Sequence, residues 1–245
     1  MLLREKVAAI TGTATGIGEG IARLFAAEGA KVFLLDRDAR CNDETARSLP
    51  GFARAIECDV TDRAAIKQAV DRVIGEVGCL DILVNNAGIY PRQSFLQMSE
   101  EQWDQTHEVN LRSMFHTCQL SLPHMVARRS GKVINISSVA FHLGMANLTH
   151  YVASKGGVVG FTRSLAREMG EHGICVNCIT PGAVLVDAER RVATEEQIQS
   201  IVELQSIKRR ILPVDIARVC LFLSSELSDA MTGQTLNVDG GWVMY

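Results

Sequence analysis

Tyr151 and Lys155 stand four residues apart in the run Tyr151-Val152-Ala153-Ser154-Lys155, and Ser138 of the pair Ser137-Ser138 lies thirteen positions before the tyrosine. Residues four apart on a helix share a face. The spacing therefore predicts a Lys155 ammonium beside the Tyr151 phenol, where a cation favours phenolate and lowers the tyrosine pKa. Such a phenol works as a general acid or base near neutral pH. A serine hydroxyl at a strand end can hold a substrate oxygen, and adjacent strand residues face opposite ways, so only one of the pair can point into a site.

A second cluster opens the chain, Thr11-Gly12-Thr13-Ala14-Thr15-Gly16-Ile17-Gly18. Glycine between a strand and a helix lets the backbone approach a pyrophosphate, and the helix N-terminus adds N–H groups and a positive dipole end. Asp36 ends the next apolar run, eighteen residues past Gly18. A carboxylate there accepts hydrogen bonds from both ribose hydroxyls of NAD and repels the 2′-phosphate of NADP. Arg37 can tolerate that phosphate, whereas Thr15 leaves the turn without a cation for it. The charge balance makes NAD the expected cofactor and NADP the less favoured one. An acid/base pair beside a nucleotide site is the logic of a carbonyl/alcohol oxidoreductase.

The elements that must carry these groups alternate along the chain. Apolar runs at Lys6–Ile10, Lys31–Leu35, Arg54–Cys58, Asp81–Asn85, Lys132–Ser137, Ile174–Thr180 and Gln234–Val238 read as seven strands. Between them, helical periodicity marks Gly18–Ala30, a stretch from Thr61 or Asp62 to Gly75, Asn110–Arg128, His150–Gly170, Asp187–Ser206 and Pro213–Leu223. Ser99-x-x-Gln102 has the form of a capping box, and Pro123 predicts a kink. Gly156, Gly157 and Gly160 in the second long helix predict close helix packing. Strand–helix–strand units at this pitch imply right-handed crossovers. The expected fold is α/β: a single-domain, Rossmann-type, doubly wound parallel sheet of seven strands with helices on both faces. One domain over residues 1–245 is expected, with a substrate-binding loop at about 183–212.

Bulk composition narrows the classes. Hydrophobic residues make up 47% and aromatics 5%, so the core must be largely aliphatic, as in buried parallel sheets. The net charge of −3 comes from well-mixed acids and bases, with no stripe for nucleic acid and no basic face for a membrane. The N-terminal residues are too charged for a signal peptide, and seven scattered cysteines read as reduced thiols, so a cytoplasmic location is expected. Cys175 and Cys178 form a C-x-x-C on a strand, where positions three apart face opposite sides. No second pair has zinc-ligand spacing, and no metal site is expected.

The motifs Thr11-Gly12-x-x-x-Gly16-x-Gly18, Asp59-Val60, Asn85-Asn86-Ala87-Gly88, Asn110, Ser138, Tyr151-x-x-x-Lys155 and Pro181-Gly182 occur in one order along nearly the whole chain. In this the sequence resembles the short-chain dehydrogenase/reductase family. The resemblance implies that Asp59 and Val60 contact adenine, and that Asn86, Ala87 and Gly88 line the adenosine side. It implies that Pro181 and Gly182 belong to the cofactor site. It makes Ser138 rather than Ser137 the catalytic serine, and Asn110 the holder of a water that relays protons through Lys155, which also binds nicotinamide ribose. Val186 stands where the family usually has a threonine that holds the nicotinamide carboxamide, leaving the backbone of Val184 for that task. The resemblance also implies a homotetramer built on the two long helices, the last strand and the Pro213 helix.

A mixed pocket is expected from Tyr90-Pro91-Arg92, the stretch Val139–His150 and the segment after Gly182. His142, Asn147 and His150 are its polar candidates beside Ser138 and Tyr151. Such a pocket fits a small secondary alcohol or ketone, or a small ring alcohol or aldehyde. An NADP-dependent 3-oxoacyl-[acyl-carrier-protein] reductase is the alternative enzyme. A non-catalytic nucleotide-binding sensor or scaffold is the alternative of another class.

Overall fold

In the computed structural model, which describes residues 1–186 and 194–244, seven strands form one sheet in the order β3-β2-β1-β4-β5-β6-β7. The strands are β1 (Val7–Thr11), β2 (Lys31–Asp36), β3 (Ala53–Glu57), β4 (Ile82–Asn85), β5 (Gly131–Ile136), β6 (Ile174–Pro181) and β7 (Thr235–Val238). Every pairing is parallel. Parallel neighbours cannot be joined by hairpins, so each connection carries a crossover. The order reverses between β1 and β4, which opens a crevice at their carboxyl ends, the place where ligands bind such sheets.

The helices are α1 (Gly16–Ala27), α2 (Ala39–Ser48), α3 (Arg63–Val77), α4 (Glu100–His107), α5 (Ser113–Arg128), α6 (Ala140–Leu143), α7 (Thr149–Met169), α8 (Glu195–Leu204) and α9 (Pro213–Ser224). The two-residue period of the strands sorts the core. Ala8, Ile10, Val32, Leu34, Ile82 and Val84 pack with Phe25 of α1 and Ile216 of α9. Val7, Ala9, Phe33, Leu35 and Leu83 pack on the other face with Ile66 and Val73 of α3 and Leu122 and Met125 of α5. Both faces of the sheet are thus buried, as a parallel sheet requires.

Several expected boundaries move. The first helix begins at Gly16, two residues before Gly18, because the glycine turn itself supplies its first turn. Helix α2 was not expected from the sequence. It is charged and thinly apolar, and it starts because the Asp38 carboxylate accepts a hydrogen bond from Cys41 N at 3.0 Å. The helix expected at Asn110 is instead continuous with α4 through a π-helical segment, Glu108–Arg112, and α5 begins at Ser113. The capping box at the start of α4 is present: Gln102 N donates to Ser99 Oγ at 3.2 Å, and Ser99 N donates to Gln102 Oε1 at 3.0 Å. Within the expected Asp187–Ser206 helix, α8 covers Glu195–Leu204, and residues 187–193 lie outside the described residues.

Candidate active site

Thr11 ends β1 and organises the crevice. Its Oγ1 accepts hydrogen bonds from Asn86 N and Ala87 N, both at 3.0 Å, which fixes the end of β4 against the glycine turn. Asn86 Nδ2 donates back to Thr11 O at 2.9 Å and Gly12 O at 3.0 Å. The glycines are steric necessities here. A Cβ on Gly12, which has φ +70°, would stand 2.9 Å from Ala87 Cα, and one on Gly18 would overlap Gly12 O. Thr15 sits at the N-cap position of α1, exposed, and its side chain makes no cap bond. Gly16, Ile17 and Gly18 therefore present the N-terminal turn of a twelve-residue helix at the mouth of the crevice. A narrow backbone cradle at a helix N-terminus fits a pyrophosphate.

Asp36 closes this cradle on the β2 side. Its Oδ2 accepts from Ala14 N and its Oδ1 from Asp38 N, each at 2.9 Å. A carboxylate oxygen has two acceptor sites, so both oxygens keep capacity toward the cleft. Asp38, not Asp36, caps the following helix. Asp59 accepts from Thr61 N and Oγ1, which hold its carboxyl below the usual range, and Val60 beside it is buried. Pro181 O accepts from Val139 N at 2.9 Å, and Gly182 passes so near Asp239 that a Cβ would stand 2.7 Å from its Cβ. Val184 bridges to Ile211, and a Val186 methyl lies 3.3 Å from where a Gly16 side chain would begin.

On the other side of the crevice, Asn110 sits at the π-helical segment, fully buried. Its Oδ1 accepts from Ile89 N at 2.8 Å, and its Nδ2 donates to Ile89 O at 2.9 Å and Ser154 Oγ at 3.1 Å. The amide thus clamps both polar groups of one residue. The extra backbone residue of a π turn is what re-aims a side chain in this way. Asn110 Oδ1 and Lys155 Nζ converge on Gly88, where an added Cβ would meet them at 3.3 and 3.4 Å. The serine pair divides as the strand period demands. Ser137 is buried and donates to Lys155 O at 2.7 Å, whereas Ser138 accepts from Ala140 N at 3.1 Å and hydrogen-bonds the Tyr151 phenol.

The charge arrangement corrects one expectation. Burial raises the Tyr151 pKa, the Ser138 hydrogen bond opposes the rise, and Tyr90 adds to it. Lys155 does not lower it. Its ammonium donates to Ile136 O at 2.8 Å and stands 5.8 Å from the centre of the Tyr151 ring. Burial brings Lys155 itself down to about 8. Desolvation penalises both charged forms and outweighs their mutual attraction at this distance.

The expected substrate-side residues scatter. Tyr90 lies edge-on to Tyr151 with ring centres 6.2 Å apart and is largely exposed. Asn147 adopts φ +60° and accepts from Gln93 N through its carbonyl. His142 packs edgewise on Phe141 and feels the Asp239 carboxylate. His150, expected to face a substrate, is instead fully buried, which lowers its pKa, and His107 of α4 lies nearby. The reason is helical phase: the residue before Tyr151 points roughly 100° away from it. Tyr90, expected in the pocket wall, does stand beside Tyr151, whereas the sequence motifs give Thr11 no role of its own. A β-branched hydroxyl ending the strand before a glycine turn is the signal that marks Thr11.

A nucleotide cradle at a sheet reversal, with a tyrosine, serine and buried lysine across the crevice, defines a dinucleotide-dependent oxidoreductase of the Rossmann type. Comparison with known proteins sharpens this class. A family model described as enoyl-(acyl carrier protein) reductase matches residues 12–243. The chain is 38% identical to a 3-oxoacyl-[acyl-carrier-protein] reductase of Thermotoga maritima, over 100% of both chains. It is 36% identical to a probable galactose dehydrogenase of Rhizobium meliloti, covering 98% of this chain and 95% of the relative. It is 37% identical to a D-xylose 1-dehydrogenase of Caulobacter vibrioides, covering 98% and 96%. The chain belongs to the short-chain dehydrogenase/reductase family and is an NAD(P)-dependent oxidoreductase acting on CH–OH donors. Among the described residues no helix is long and apolar enough to cross a membrane.

Proposed function

We propose that the protein oxidises a small secondary alcohol, or reduces the matching ketone, with NAD as the favoured cofactor. Small ring alcohols and aldehydes belong to the same reading. The observation that carries it is the Tyr151 phenol, hydrogen-bonded by Ser138 and open toward an exposed Tyr90, at the mouth of a cradle edged by Asp36. Gly12, Thr15, Gly16, Ile17 and Gly18 would hold the pyrophosphate, Asp36 the adenosine ribose, and Asp59 and Val60 the adenine. Asn86, Ala87, Gly88, Pro181, Gly182 and the Val184 backbone complete the wall. The dinucleotide supplies the hydride acceptor or donor. In oxidation, Tyr151 as phenolate takes the alcohol proton at Oη, and Ser138 Oγ holds the substrate oxygen. Lys155 returns the proton toward solvent through a water held at Asn110, which already anchors the Ile89 backbone. Ser138, Tyr151 and the neighbouring His142 and Asn147 face the substrate in this reading.

Taking the one alcohol proton needs a phenol that ionises although burial opposes it, so positive charge brought in with the oxidised cofactor adds to what Ser138 supplies. Replacing Tyr151 by Phe keeps the shape and removes the acid/base group, which contributes about 10²–10⁴-fold. Turnover is followed by nicotinamide absorbance with a panel of secondary and ring alcohols, with NAD and NADP side by side. A folded Tyr151→Phe protein with near-normal turnover would sink the assignment. The second reading, 3-oxoacyl-[acyl-carrier-protein] reduction with NADP, is supported by the acyl-carrier-protein reductase relative. It would appear as faster turnover of a 3-oxoacyl thioester with NADPH than of any alcohol with NAD.

A further inference from the structure

The amino ends of the strands, opposite the crevice, enclose a cavity of about 310 Å³ lined by Lys6, Asp81, Lys132, Cys175, Glu226 and Asp229 among others. Lys132 and Cys175 are cross-strand partners on β5 and β6. Lys132 Nζ donates to Asp229 Oδ1 at 2.7 Å and to Cys175 Sγ at 3.5 Å. The Cys175 thiol donates to Asp229 O at 3.6 Å. A thiol, an amine and a carboxylate thus meet at the wall of an open cavity. The lysine is held there, its side chain only 14% exposed, by an ion pair the crevice does not use.

We propose that Cys175 is a site of hydroperoxide oxidation whose sulfenic acid is captured by the Lys132 amine, cross-linking β5 to β6. In the first step sulfur attacks one peroxide oxygen and the O–O bond breaks. Sulfur loses two electrons, the peroxide gains them, and the thiol proton leaves with the departing oxygen as water. In the second step Lys132 gives a proton to solvent by way of the Asp229 carboxylate. The Nζ lone pair then forms an S–N bond as the S–O bond breaks. The hydroxide released takes a proton from nitrogen, giving a second water and a sulfenamide. Sulfenic acids condense in this manner with nearby nitrogen nucleophiles.

The other cysteines lack this combination. Burial pushes the thiols of Cys58 and Cys178 up to about 11 and that of Cys118 up to about 12, and it raises Cys220 as well. Cys178 has Lys155 nearby but is fully buried, out of reach of an oxidant. Cys41 Sγ accepts from the Arg40 guanidinium, not from an amine, and its thiol is raised by the Asp38 hydrogen bond, while Cys79 Sγ donates to Asp81 Oδ2 and is raised by burial.

The test is peptide mass spectrometry after hydrogen peroxide treatment of the whole protein. The expected result is a Lys132–Cys175 linked tryptic peptide, lighter than its two parts by two hydrogens, resistant to trypsin at Lys132 and released by dithiothreitol. Lys132→Arg keeps a cation for Asp229 but removes the amine nucleophile. That variant should show no linked peptide and a several-fold gain in dimedone-trapped Cys175, with alcohol turnover unchanged as the check on folding. Recovery of wild-type Cys175 as free thiol or sulfinic acid, with normal cleavage at Lys132, would overturn the proposal. So would equal dimedone labelling of wild type and Lys132→Arg. Neither result depends on the crevice chemistry.

Discussion

Replacing Asp36 by Asn tests the cofactor reading at its most sensitive atom pair. The wild-type carboxylate accepts from Ala14 N and from Asp38 N, each at 2.9 Å. An asparagine side chain matches that shape but has one acceptor oxygen. Its amide nitrogen must face one of the two backbone N–H groups, donor against donor. The glycine turn or the start of α2 therefore loses an anchor as the charge disappears. Two charge-assisted bonds to ribose hydroxyls are worth ~1.5–3 kcal/mol each. Because Asp36 is only half-buried, the low end applies, and NAD loses roughly 10²-fold in kcat/KM. Relief of repulsion toward a 2′-phosphate returns about 1–2 kcal/mol to NADP after solvent screening. The NAD to NADP ratio of kcat/KM should thus fall by about 10³-fold. The assay is nicotinamide absorbance with both cofactors at saturating alcohol, on protein whose circular dichroism matches wild type and whose Tm stays well above the assay temperature. An unchanged ratio in folded protein would refute the placement of Asp36 at the ribose.

Ser138→Ala removes the hydrogen bond that opposes burial at Tyr151, so the phenol pKa rises further. Oxidation needs phenolate, so the acid limb of its kcat/KM profile should move to higher pH, and a shift to lower pH would contradict the assignment. Gly18→Ala places a methyl against Gly12 O and 2.6 Å from Asn86 Nδ2. It should cost about 3 kcal/mol, the upper end of overpacking, seen as a lowered midpoint in urea. Asn110→Ala orphans both polar groups of Ile89 and should lower stability by about 3 kcal/mol, a Tm loss of roughly 6–12 °C, with turnover falling alongside. Phe115 of α5 is 45% exposed and Gly160 of α7 meets nothing within 4 Å. The faces these residues mark are those proposed to pair in a homotetramer, and light scattering at dilute concentration should give four chains, a monomer refuting it.

What could be read beforehand followed from periodicity and short-range spacing. Continuous apolar runs marked the strands, because a parallel sheet is buried on both faces, and the order of motifs led to the expectation that the glycine turn, Asp36, Ser138 and Tyr151 share one crevice. The capping box of α4 was legible because its bonds join residues three apart. Helix α2 escaped because its only strong local signal, Asp38, lies two residues past a carboxylate with a competing explanation. The π turn at Asn110 escaped because nothing in the sequence spells an extra backbone residue. Its cause lies in tertiary contact, where one amide serves Ile89 and Ser154 at once.

The Tyr151–Lys155 pair shows where spacing stops being informative. Four residues on a helix place two side chains on one face, and they do lie on one face here. They do not determine where a long lysine puts its ammonium. Ile136 O takes that ammonium at 2.8 Å, a partner contributed by β5 and not by the helix. The same burial that confines Lys155 also desolvates the phenol, so protein alone leaves Tyr151 harder to ionise, not easier. A resting site that keeps the phenol protonated and the lysine near about 8 holds its proton until charge arrives. Under the proposed mechanism, proton removal is thereby tied to cofactor binding, and an alcohol alone meets an acid, not a base.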